Sequence, residues 1–161
     1  MNRIKNIAFS ALLAIGSFSA VFYTSCNKDE CKDVVCNNGG TCVSGSCSCP
    51  VGFEGTSCEI LTRDKFTGTY VGTETCSIGS DAYTITITTN SNNIMVTLTN
   101  LYNQGFTAMG TVTGANTFSL SGSQGTTSYT GTGTLNTNQL TLQYTITSPL
   151  ANNTCTFIGN K

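Results

Sequence analysis

Histidine and tryptophan are absent from the 161 residues, proline occurs twice, and charged residues make up only 9%. Without imidazole there can be no Ser-His-Asp triad, no Cys-His nucleophile pair and no His-ligated zinc or haem. Seven Lys and Arg against eight Asp and Glu leave a net charge of -1. That is too little positive charge for a basic face that grips nucleic acid. The shortage is uneven: after Lys65 only Glu74, Asp81 and Lys161 are charged. A glycosidase would need two carboxylates flanking a cleft. Asp81, however, falls in an expected turn, and Glu74, on a face with Tyr70 and Cys76, reads as a satisfied or exposed carboxylate. The many threonines lack an activating base. The expectation is a non-enzymatic protein with no cofactor.

What is present begins with a leader. Arg3 and Lys5 precede an apolar stretch from Ile7 to Phe22 that is broken by small residues. It has the charge and length of a secretory signal and falls short of the ~20 strongly apolar residues of a spanning helix. Residues Tyr23-Thr24-Ser25-Cys26 resemble a bacterial lipobox, and Asn27-Lys28-Asp29-Glu30 resembles the export signal of Bacteroidota surface lipoproteins. The resemblance implies cleavage after residue 25, acylation of Cys26 and a tether over 26–30. The protein would then be lipid-anchored in the outer membrane and face the extracellular side. Two or more acyl chains make such attachment stable, each buried CH₂ contributing about 0.8 kcal/mol.

Eight cysteines follow Cys26, an even number in an exported chain, so pairing is expected. Clustered cysteines can also hold zinc, but export favours oxidation and no C-x₂-C knuckle occurs. Cys31, Cys36, Cys42, Cys47, Cys49 and Cys58 are separated by 4, 5, 4, 1 and 8 residues. With Asn37-Asn38-Gly39-Gly40-Thr41-Cys42 and Cys47-Ser48-Cys49-Pro50-Val51-Gly52-Phe53, then Gly55 and Cys58, the segment resembles an epidermal growth factor (EGF)-like module over 31–59. The resemblance implies the pairs Cys31–Cys42, Cys36–Cys47 and Cys49–Cys58, which cysteine number alone leaves open. A unit this small cannot bury enough apolar surface to offset its chain entropy, so covalent staples replace a core. Phe53 is expected as an apolar plug against the 49–58 bridge. Asn27, Asp29 and Glu30 imitate the acidic half of a calcium-binding variant. Val43-Ser44-Gly45-Ser46 lacks the oxygens of the second half, so calcium is not expected.

Residues 60–65 read as a linker, and 66–161 have another character. Threonine alternates with apolar residues, as in Tyr83, Ile85 and Ile87, in Ile94, Val96 and Leu98, and in Leu140, Leu142, Tyr144 and Ile146. Period two with β-branched residues predicts half-buried strands. Gly-, Asn- and Ser-rich breaks divide the region into strands near 66–76, 82–89, 93–100, 106–113, 116–121, 127–135, 139–147 and 153–159. Short connections join sequential antiparallel neighbours. The fold expected is therefore an all-β, eight-stranded up-and-down barrel, with a two-sheet sandwich as the alternative. Closure would make the first and last strands neighbours and let Cys76 pair with Cys155; two buried free thiols are the alternative. Gly131 and Gly133 mark a bend or leave room for a facing aromatic.

Lys65-Phe66-Thr67-Gly68-Thr69-Tyr70 resembles the opening strand of lipocalin-like (calycin) barrels, which implies a barrel and a ligand cavity. Two functions are therefore expected. The first is an adhesion or protein/glycan interaction module. The alternative is a lipocalin-like carrier of a small apolar ligand, which a filled interior would remove.

Overall fold

A computed structural model describes residues 29–161; the expected leader and the expected lipidation site, Cys26, lie outside the described residues. From residue 31 the chain is held by sulfur. Strands β1 (Thr41–Val43) and β2 (Ser46–Ser48) form an antiparallel ribbon with Cys42 opposite Cys47, and β3 (Phe53–Glu54) pairs with β4 (Ile60–Leu61). Disulfides join Cys31 to Cys42, Cys36 to Cys47 and Cys49 to Cys58, the pairs that the resemblance implies. Apolar packing contributes little there: Cys58 is buried while Val35, Val43 and Val51 are exposed.

Residues 60–65 do more than link. Ile60 and Leu61 belong to the β3–β4 pair, and Thr62–Phe66 form a 3₁₀ helix with Thr62 and Phe66 buried. Phe66, expected as the first residue of a strand, sits instead at the mouth of the following domain. Its ring meets Phe118 edge to face, 5.1 Å between centroids. A single helical turn is too short to leave a period in the sequence, and period two was the only signal available there.

The remainder is a closed barrel. Strands β5 (Gly68–Cys76), β6 (Gly79–Thr89), β7 (Met95–Leu101), β8 (Phe106–Gly114), β9 (Thr117–Gln124), β10 (Thr127–Asn136), β11 (Gln139–Thr147) and β12 (Asn152–Asn160) pair antiparallel in sequence order, and β12 returns to β5. Alternate side chains face inward, as the pleat requires. Tyr70, Ile85, Val96, Leu98, Leu142 and Phe157 are fully buried, and threonines occupy the outward positions between them. At eight strands an interior is just wide enough for side chains to fill. The glycines fit that space: a Cβ on Gly133 would lie 2.1 Å from the Phe118 ring, and one on Gly131 would meet the Tyr144 backbone. Of the two expectations, a bend or room for a facing aromatic, the second holds at Gly133, where Phe118 is that aromatic.

Cys76 and Cys155 are direct partners across the β12–β5 seam and form a disulfide that spans 79 residues of sequence. The stapled module is seated on the opposite end of the barrel. The Arg63 guanidinium donates to the backbone carbonyls of Asn90 and Asn92 in the β6–β7 loop. Lys65 pairs with Glu54 at 2.7 Å and donates to Asn116 at 3.3 Å. Gly52, with φ +96°, lets Ile94 approach so closely that a Cβ would fall 2.3 Å from its Cγ2. Phe53 is half-buried and, with Cys49, lines the crevice where module meets barrel. The last residue closes the same end, since Lys161 Nζ donates to the carbonyls of Lys65 at 2.6 Å and Thr67 at 2.8 Å.

Replacing both seam cysteines by serine should cost about 4–5 kcal/mol of stability, the loop-entropy value for this span. Chemical denaturation followed by circular dichroism checks it; an unchanged midpoint would refute the seam's role. Gly133→Val should cost about 1–3 kcal/mol by overpacking. Adding Phe118→Leu should return part of that loss, and strictly additive losses would show that the two positions do not compete for space.

Candidate functional site

Strand direction decides which residues meet at the free end. Because β5 starts beside the module, its far end carries Glu74 and Cys76, and the β5–β6, β7–β8 and β11–β12 connections surround them. A pocket of about 280 Å³ opens there, lined by Glu74, Cys76, Ile78, Asp81, Tyr102 and Asn153 among others. Glu74 is only 3% exposed although it is ionisable. Its position follows from the pleat: Tyr70, Glu74 and Cys76 share the inward face of β5, and a carboxylate at that level must find donors.

Those donors come from neighbouring strands. Tyr83 on β6 donates to Glu74 Oε1 at 2.7 Å, and Tyr144 on β11 donates to the same oxygen. The backbone N–H of Tyr102 donates to the Tyr83 hydroxyl at 3.1 Å. An N–H can only donate, so the Tyr83 proton is left to point at Glu74. A register shift at Asn100, with φ +69°, puts Leu101 inward and carries Tyr102 over the pocket. Asparagine tolerates that left-handed backbone. Its side chain holds the turn, donating to Thr84 O at 3.0 Å and accepting from the N–H of Gly105 at 3.1 Å. Asn153, also buried, donates to the Tyr102 hydroxyl at 2.7 Å and accepts from Ser77 at 2.7 Å.

Burial pushes the phenols of Tyr83 and Tyr144 well above the ordinary tyrosine value, and the Glu74 carboxylate pushes in the same direction. Both hydroxyls therefore remain donors at any physiological pH. Tyr70, buried at the other end with its hydroxyl donating to Phe66 O at 2.8 Å, is pushed up to about 12 by desolvation.

Asp81 departs from expectation. It belongs to β6, directly opposite Glu74, because the β5–β6 turn shrinks to Ser77 and Ile78. Its Oδ1 accepts from the Ala82 N–H at 2.9 Å and its Oδ2 from the Asn103 amide. Glu74, Cys76 and Cys155 lie close enough together to suggest a metal set, but the disulfide occupies both sulfurs. The ion pairs among the described residues are Arg63–Asp64 and Lys65–Glu54, so Glu74 has no cationic partner there. Both carboxylates thus reach one pocket, and no Lys or Arg lines it. Tyr83, Tyr102, Tyr144 and Asn153 were not legible as site residues. Seeing them requires the register that sets Tyr144 against Cys155 and Cys155 against Cys76.

The chain matches no family model, no curated protein and no solved structure.

Buried phenols make the fold sensitive to alkali. The folded state holds these protons to higher pH than the unfolded chain, which releases them near the ordinary value of about 10. Stability from Tyr70, Tyr83 and Tyr144 is thus complete below about pH 10 and falls as pH rises beyond it. Alkaline titration should show tyrosinate absorbance from these residues arriving together with loss of the near-ultraviolet dichroism. Tyr83→Phe with Tyr144→Phe should flatten that alkaline fall while lowering stability at pH 7 by about 1–3 kcal/mol, as the buried carboxylate loses its donors. Ionisation of all tyrosines near pH 10 with the fold intact would contradict the geometry.

Proposed function

We propose that the chain is a non-enzymatic, lipid-anchored cell-surface protein. In this reading the acylated Cys26 holds it in the outer membrane, an EGF-like module over 31–59 acts as a pedestal, and the barrel makes contact with an extracellular protein or glycan. The supporting observation is polarity of construction. The module is clamped to one end of the barrel by Arg63, Lys65 and the close fit of Gly52 on Ile94. The loops and pocket of the other end stand free of it. A tether entering at residue 31 would therefore point that free end away from its anchorage. No helix among the described residues is long and apolar enough to cross a membrane; attachment in this reading is by acyl chains on Cys26.

The wall of the barrel suits polar contact. Outward threonines offer hydroxyls that donate and accept while keeping strand propensity. Carriage of an apolar ligand inside the barrel, the lipocalin-like alternative, requires space that Tyr70, Ile85, Val96, Leu142 and Tyr144 already fill, each at most 2% exposed.

Membrane fractionation of wild type and Cys26→Ala tests the anchorage. Wild type should enter the detergent phase and the variant the aqueous phase; equal partitioning would overturn it. Protease added to intact cells should remove the wild-type barrel epitope. The aqueous Cys26→Ala protein should bind cells or matrix components, and uniform absence of binding would overturn the contact role.

A further inference from the structure

The pocket at the free end holds a buried carboxylate with no cationic partner among the described residues, and its chemistry can be read independently of where the chain is anchored. Glu74 Oε1 takes both phenolic donors, while Oε2 has no hydrogen-bond partner among the described residues and opens onto the pocket. Burial strips a carboxylate of much of its hydration, at a cost that hydrogen bonds and opposite charge offset. Two neutral phenols offset part of that cost and supply no positive charge. A second carboxylate, Asp81, stands across the strand pair at the pocket's rim. A cationic ligand would complement this pair of carboxylates.

Its size and type follow from the lining. A metal ion of the calcium type takes six to eight oxygens, whereas here one Glu74 oxygen is already saturated, Asp81 is engaged by Ala82 and Asn103, and the sulfurs are joined to each other. A volume of about 280 Å³ exceeds what a bare ion fills yet lies below the range of sites built for drug-sized ligands. Ile78, 76% exposed at the rim, and the Tyr102 ring offer apolar and π surface beside the carboxylates. That combination suits a small charged head on an alkyl stem, with the ring adding cation–π attraction.

We propose that the free-end pocket binds a primary alkylammonium group, with Glu74 Oε2 as its ion-pairing partner, Asp81 as the second negative charge and Ile78 against the stem. Such a head arrives either on a free amine or on a lysine side chain of a partner protein. Calorimetric titration of the purified full-length protein in detergent would use n-butylammonium, a short peptide with one central lysine, and the same peptide acetylated at that lysine. Saturable binding of n-butylammonium equal to that of the peptide supports the site and assigns it to free amines. Tighter binding of the peptide, lost on acetylation, supports it and assigns it to protein lysine. Binding of neither, or equal binding of the acetylated peptide, overturns the proposal. Glu74→Gln, which keeps an acceptor for both phenols, should weaken binding at least about tenfold, and Asp81→Asn should weaken it less. Should Glu74→Gln not fold, amide shifts in the wild type decide. Perturbation confined to Ile78, Asp81 and Tyr102 supports the site, and perturbation elsewhere overturns it.

Discussion

An open sheet of eight strands would have two edges, each a row of unpaired N–H and C=O groups. Pairing Val71–Cys76 with Cys155–Asn160 removes both edges at once. The rest depends on that seam. Only a closed sheet turns Tyr70, Glu74, Phe157 and Tyr144 toward one another, and only closure brings two residues 79 apart in sequence into register. The disulfide then acts on the unfolded chain, whose freedom it reduces, at the place where the longest-range pairing must form. Sulfur thus acts on two scales. Short loops in the first module replace a core, and one long loop in the barrel fixes a topology that already has a core.

Much of this was legible in the sequence because period two and turn chemistry are local. Tyr83, Ile85 and Ile87 alternate with threonines and lie inward as expected, and every one of the eight strand segments is found within a few residues of its expected place. The shift from sequence to structure lies where locality ends. Phe66 belongs to a 3₁₀ turn that plugs the barrel, a role defined by Phe118 more than fifty positions away and so invisible in any window. The β5–β6 turn is tighter than its Gly- and Ser-rich sequence suggests, which moves Asp81 from a turn into a strand opposite Glu74. The tyrosine pair around Glu74 is likewise a product of register. One partner is nine residues away and the other seventy.

The near absence of charge gives the few ionised groups unusual definition. Lys161 is drawn to the carbonyls of Lys65 and Thr67 and lies over the Tyr70 ring, 5.2 Å from its centroid; partial burial lowers its ammonium from the ordinary lysine value. Arg63 and Lys65 spend their charges on seating the module. Positive charge in the barrel domain therefore gathers at the module end, and Glu74 and Asp81 stand together at the other. Lys65 and Arg63 are paired there with Glu54 and Asp64, so within 66–161 the separation of charge lies between Lys161 at one end and the two carboxylates at the other.

The seam also sets how the molecule would bear load. A pull entering through the module would reach β5 at its beginning, and a partner held at the far-end loops, as proposed, would act beyond its finish. Force then runs along the strand, and the hydrogen bonds to β12 are strained in shear, together and not one after another. At the last register pair the two strands are covalently one. Traction cannot strip β5 past Cys76, and extension would stop with the barrel's two terminal strands still joined.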